Sequence, residues 1–160
     1  MNIIVAPNMK KKVLVVDDNP MILKLLNIIL SQDYDVTIKS NGIDALNWLE
    51  DAHFPDLIIS DLKMPYFDGT SFVRNLKISG YYKETPVIVL SGADDLEKQV
   101  KNMPFPVEGY IKKPFNPANL KKIIENVFNS NKNTTSDNSE GEPSVSCMPS
   151  IIITGGRATP

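Results

Sequence analysis

Cysteine, histidine and tryptophan each occur once in this 160-residue sequence, at Cys147, His53 and Trp48. A lone cysteine excludes an internal disulfide and fits a reducing compartment. Charge of one sign is also missing: the formal net charge is −2 and the basic residues are scattered. That excludes the massed positive field of a direct nucleic-acid binder. No apolar run approaches the roughly 18 residues needed to cross a bilayer; stretches such as Ile28 to Leu30 and Val87 to Leu90 are the longest kind present. Membrane insertion is therefore not expected. The lysines at 10–12 follow the brief apolar patch Ile3 to Ala6, the reverse of a secretory signal, so a cytoplasmic location is expected. There is no internal repeat. A chain of this size with 42% apolar residues can bury one core but not two ordinary ones.

What is present is an alternation. From Lys12 onward, short β-branched runs alternate with longer segments of helical period, the mark of stacked βα units around a parallel sheet. Five strands are expected: Val13 to Val16, Asp35 to Lys39, Leu57 to Ser60, Val87 to Leu90 and Val107 to Ile111. The first, third and fourth are continuously apolar and should be central, covered on both faces. The second alternates in polarity and suits an edge.

Five helices fill the gaps. Asn19 followed by Pro20 is an N-cap with proline in the first turn, opening a helix through Leu30 with Ile22, Leu25, Leu26, Ile29 and Leu30 as its buried stripe. Asn41 or Gly42 opens the second, carrying Ile43, Leu46 and Leu49. Thr70 starts the third, with Phe72, Val73 and Leu76 inward. The fourth, between Asp94 and Asn102, has only Leu96, Val100 and Met103 to bury and should be the least stable. Asn116 and Pro117 start the fifth, with Leu120, Ile123, Ile124, Val127 and Phe128 inward. Residues 1–9 form an N-terminal extension to a domain at 10–129. Residues 130–160, rich in Asn, Ser, Thr, Gly and Glu, are expected to be a flexible polar tail, with Ile151 to Ile153 a candidate short β segment.

In an open parallel sheet, ligands bind beyond the carboxyl ends of the strands. Those ends deliver Asp17 and Asp18 after the first strand, Asp61 after the third, Ser91 after the fourth and Lys113 after the fifth. Three crowded carboxylates repel one another unless a hard divalent cation lies among them, and Mg²⁺ suits a few carboxylate oxygens together with water and phosphate. A carboxylate in such a setting can attack phosphorus. Asp61 is the candidate nucleophile, Lys113 the positive charge for the phosphoryl oxygens, and the Ser91 hydroxyl a further donor.

The segments VLVVDDNP at 13–20, SDLKMPYFDG at 60–69, VIVLSGA at 87–93 and GYIKKPF at 109–115 closely resemble, in order and spacing, the receiver domains of two-component response regulators. The likeness spans about 12–128. It implies a flavodoxin-like, doubly wound five-stranded parallel sheet of order 2-1-3-4-5 with five helices. It further implies Mg²⁺ bound directly by Asp18 and Asp61, through water by Asp17, and by the backbone carbonyl of Lys63. Ser91 and Tyr110 would be the switch pair, with Asp61, Lys113 and Ser91 the reacting set. Lys113 matches, not Lys112, because it precedes Pro114, and that peptide is commonly cis in the family.

The implied function is a phosphorylation-dependent signalling switch, not an enzyme with turnover of its own beyond Mg²⁺-dependent self-phosphorylation and self-dephosphorylation. The phosphodonor would be a histidine kinase or phosphotransfer protein, and the face formed by helix 4, strand 5 and helix 5, lined by Lys98, Lys101, Tyr110, Lys112 and Lys121, would control an output protein. The domain would be a monomer or a phosphorylation-dependent dimer. Two alternatives come from other classes. A haloacid-dehalogenase-like phosphatase would need a second Asp two positions after a nucleophile on the first strand, where Asn19 stands. A degenerate receiver used only for docking would lack some of the key residues.

Overall fold

The computed structural model describes residues 9–132. The segment Ile151 to Ile153 and nearly all of the N-terminal extension lie outside the described residues. Within them the chain alternates β1(Lys12–Val16), α1(Pro20–Leu30), β2(Asp35–Lys39), α2(Gly42–Glu50), β3(Leu57–Asp61), α3(Gly69–Ile78), β4(Val87–Ser91), α4(Leu96–Lys101), β5(Gly109–Lys112) and α5(Pro117–Lys132). The strands form one parallel sheet of order β2-β1-β3-β4-β5.

The burial pattern explains that order. Every residue of β3 and β4 is buried, as is β1 after Lys12, so these apolar runs need cover on both faces. On one face Val13, Val15, Leu57, Ile59, Ile88 and Leu90 meet α1 and α5. On the other, Leu14, Val16, Ile58 and Val87 meet α2 and α3, while Val89 meets α4. β2 is half-buried and takes an edge.

Three local expectations are corrected. Leu25 and Ile43 are turned to solvent, at 42% and 50% exposure. The buried stripe of α1 is Leu23, Leu26 and Leu30, spaced to lie on one helical face, and Leu25 falls outside it with Met21 and Ile28. α3 begins one residue before Thr70, because Asp68 is its N-cap and accepts from the Ser71 amide at 2.7 Å. β5 begins at Gly109, not Val107. Pro104 and Pro106 lack the N–H a ladder needs, and the Val107 side chain packs where the clusters beneath α3 and α4 meet.

α4 is the shortest helix, at six residues, and its N-cap Asp95 makes no side-chain capping bond. α3 is held more firmly. Lys77, its side chain only 7% exposed, reaches the Glu108 carboxylate at 3.1 Å and the Thr85 carbonyl at 3.2 Å. Glu108 also accepts from the Val87 amide at 2.5 Å. A buried ammonium is tolerable only with such partners, and the three together tie α3 to the starts of β4 and β5.

Candidate functional site

Each central strand ends in a polar residue that its neighbours hold in place. Asp17 follows β1 directly and is 1% exposed. Its amide donates to the Lys39 carbonyl at 3.2 Å, and its Oδ1 accepts from the Asn19 amide at 2.9 Å. Asn19 in turn caps α1, its Oδ1 accepting from the Met21 amide at 2.9 Å. Asp61 closes β3 and is 6% exposed. The Lys63 amide donates to its Oδ1 at 3.3 Å, and the Ser60 hydroxyl donates to its backbone carbonyl at 3.0 Å. Ser91 closes β4, fully buried, with its Oγ accepting from the Ala93 amide at 3.3 Å.

β5 supplies the cation. Register pairs Ser91 with Lys112, and the next amide, that of Lys113, donates to the Ser91 carbonyl at 2.8 Å. The Lys113 side chain then crosses to the acids. Its Nζ lies 2.5 Å from Asp17 Oδ2 and 3.0 Å from Asp61 Oδ2. The peptide joining Lys113 to Pro114 is cis. Burial alone would lower the Lys113 pKa, but the bonds to Asp17 and Asp61 outweigh it and raise the value, so the group stays an ammonium at neutral pH.

Asp17, Asp18 and Asp61 offer carboxylate oxygens that all lie within 4.8 Å of one another. One ammonium against three carboxylates leaves a deficit of positive charge in a partly buried pocket. The donor set is hard and all-oxygen, with Asp18 open to solvent, which fits Mg²⁺ with retained waters. The residues present can hold such an ion.

Asp17 carries the cost of this burial. Burial holds its carboxyl above the usual carboxylate range, against the bonds from Lys113 and the Asn19 amide, and the Asp61 charge pushes it further up. An acid whose folded pKa is raised favours the fold most while protonated, and that contribution is lost as pH rises through the carboxylate range. Asp17→Asn is neutral throughout, so without divalent cation it melts above the parent at neutral pH and level with it in acid. If the cluster takes Mg²⁺, the added ion is expected to raise the melting temperature of the parent much more than that of the variant. Melting curves at both pH values, with and without Mg²⁺, check this.

Lys98, on α4, is exposed. Tyr110 points outward from β5 at 40% exposure. Lys101 and Lys112 lie exposed, but each has a partner: Glu97 at 2.7 Å and Asp94 at 2.8 Å. Nothing in local pattern pairs Asp94 with a lysine 18 positions away. Lys121 is drawn instead to Asp33, at 2.7 Å, in the turn between α1 and β2, so it does not line the α4–β5–α5 face as expected. His53 is exposed and stacks on Trp48, with ring centroids 4.4 Å apart.

The family model described as the response regulator receiver domain matches residues 13–125. Among solved structures, the chain is similar to the chemotaxis protein CheY4 of Vibrio cholerae, with 33% identity and a TM-score of 0.65 over 74% of this chain and 98% of that one. It is also similar to the receiver domain of the sensor histidine kinase PA1611 from Pseudomonas aeruginosa PAO1, described with a magnesium ion coordinated in its active-site cleft. There identity is 28% and the TM-score 0.67, over 75% of this chain and 98% of that one. Among curated proteins, the sensor histidine kinase TmoS of Ectopseudomonas mendocina is 33% identical over 117 residues, 73% of this chain but 12% of that protein. The chain spans about half the length of the other curated relatives it matches first.

Proposed function

Because this chain belongs to the response regulator receiver domain family, we propose that Asp61 accepts a phosphoryl group from a phosphohistidine on a histidine kinase or phosphotransfer protein. The receiver unit is taken as residues 10–129. The observation that carries this reading is the meeting of Lys113 with both Asp17 and Asp61 at the sheet edge. An Asp61 oxygen attacks phosphorus, the P–N bond breaks, and the imidazole leaves with the electron pair. Such transfers depend on positioning and charge more than on covalent machinery. Lys113 would hold the phosphoryl oxygens, while Asp18, Asp61 and the Lys63 carbonyl would hold Mg²⁺ directly and Asp17 through water; the ion would neutralise phosphoryl charge.

Phosphorylation adds about two negative charges at Asp61. The Ser91 hydroxyl and Lys113 turn toward them, the loop from Ala93 to Asp95 follows Ser91, and Tyr110 moves inward from its exposed position. α4, short and poorly capped, yields readily. Changing the population from mostly inactive to mostly active takes roughly 5 kcal/mol of preference, within reach of several charge-assisted hydrogen bonds. The altered α4–β5–α5 face then controls an output protein, through the monomer or a phosphorylation-dependent dimer. Asn19 caps α1 and its amide donates to Asp17, in the position where a phosphatase of the haloacid-dehalogenase kind needs an acid.

The test is incubation with acetyl phosphate and Mg²⁺. A single hydroxylamine-labile phosphate on Asp61 is the expected product; absence of Mg²⁺-dependent incorporation in a folded sample returns the chain to a docking role. The same preparation measures Lys63. Its exposed side chain follows Asp61 by two positions and is long enough to hinder water approaching the acyl phosphate, so Lys63→Ala shortens the phosphoryl lifetime by a few-fold, as read from loss of label after the donor is removed.

A further inference from the structure

Tyr66, in the connection from β3 to α3, has backbone φ of 67° and a completely exposed side chain. The Phe67 amide donates to the Pro65 carbonyl at 2.8 Å, closing a three-residue turn with Tyr66 at its centre. Positive φ in such a turn is rare and strained, and glycine or asparagine would adopt it more easily than an aromatic residue. The ring gains no burial in return.

The turn is nevertheless held on both sides. Met64 before it is buried. Phe67 after it presses on Gly42, where a Cβ would stand 2.5 Å from the Phe67 ring. The Gly69 amide donates to the Leu62 carbonyl at 3.0 Å. Strain that the surroundings over-determine is found at working parts of proteins. Here it presents an unburied aromatic side chain on a fixed backbone turn, five positions beyond Asp61.

We propose that Tyr66 is a specificity contact for the protein that donates the phosphoryl group, its ring seating in an apolar recess beside the donor histidine. The inference rests on the reading of Asp61 as acceptor. A phosphohistidine reaches Asp61 only if the donor's surface covers the loops at the carboxyl end of the sheet, and Tyr66 belongs to the loop that Asp61 itself begins. A tyrosine has few rotors to fix, and a preformed turn leaves little to order on binding. Small phosphodonors have no such surface and are indifferent to the ring.

Two variants test it. Tyr66→Asn keeps the turn and removes the ring, whereas Tyr66→Phe keeps the ring. Both are labelled in vitro by acetyl phosphate, and both are expressed in the native host, where phosphate-affinity gels give the phosphorylated fraction. The Asn variant is expected to melt slightly above the parent and to match it in acetyl phosphate labelling and phosphoryl lifetime, yet to fall about tenfold or more in cellular phosphorylation. The Phe variant stays near the parent. Cellular phosphorylation of the Asn variant at or above the parent's level overturns the proposal, and so does an equal fall with acetyl phosphate, which would put Tyr66 in the chemistry. Failure of the parent to label at Asp61 overturns the acceptor reading instead.

Discussion

Asp61→Asn removes phosphate uptake from acetyl phosphate while leaving the protein folded, with incorporation lower by about a thousandfold or more. The amide has the shape of the carboxylate and keeps an oxygen to accept from the Lys63 amide, but it is a far poorer nucleophile toward phosphorus. It also takes one carboxylate from the cluster that would hold Mg²⁺, so two requirements fail together. The fold should not suffer. Lys113 keeps its bond to Asp17, and the substitution removes one of three mutually repelling charges. Labelling and melting measured side by side therefore separate a lost acceptor from a lost structure. Equal labelling of the variant would show that phosphate goes elsewhere and would end the proposed mechanism. Ser91→Ala should behave differently: its hydroxyl supplies one proposed hydrogen bond, so uptake persists while the response of α4 and β5 weakens.

The difference between those two residues reflects what the sequence makes legible. Asp17, Asp61, Ser91 and Lys113 each stand at the end of a short apolar run, and a parallel sheet brings all such ends to one edge. Their meeting follows from topology alone. The same logic exposes β1, β3 and β4 as central, because runs with no polar position need cover on both sides. Where apolar residues are too many, the pattern loses its phase. α1 carries Met21, Ile22, Leu23, Leu25, Leu26, Ile28, Ile29 and Leu30, so Leu25 is as plausible an inward residue as Leu23 until packing decides.

Long cationic side chains are illegible for another reason. Lys77, Lys112 and Lys121 choose Glu108, Asp94 and Asp33, partners 18 to 88 positions away, and a flexible four-carbon stem leaves no periodic trace of its destination. Tyr66 escapes as well. Glycine or asparagine announces a positive φ, and a tyrosine does not.

Gly69→Ala is the substitution with the largest expected effect on both fold and site. A Cβ at Gly69 would stand 1.7 Å from the Asp61 carbonyl oxygen, and 2.7 Å from both the Asp61 carbonyl carbon and the Leu62 Cα. All three are backbone atoms, so no rotamer change relieves the clash. Either the first turn of α3 lifts or the end of β3 sinks. Lifting α3 breaks the Gly69 amide bond to Leu62 and loosens Phe72, Val73 and Leu76, which are almost completely buried against the sheet. Moving β3 shifts Asp61 relative to Lys113. Overpacking against rigid backbone destabilises by about 3 kcal/mol, which for a domain of this size lowers the melting temperature by roughly 10 °C. In the fraction still folded, acetyl phosphate labelling falls by about tenfold or more, because displacement by an ångström is enough to spoil a positioned nucleophile. Gly80→Ala is the control: its Cβ would meet nothing within 4 Å, so it should melt and label like the parent. If Gly69→Ala does the same, the close packing of α3 on the Asp61 peptide is not what holds Asp61 in place.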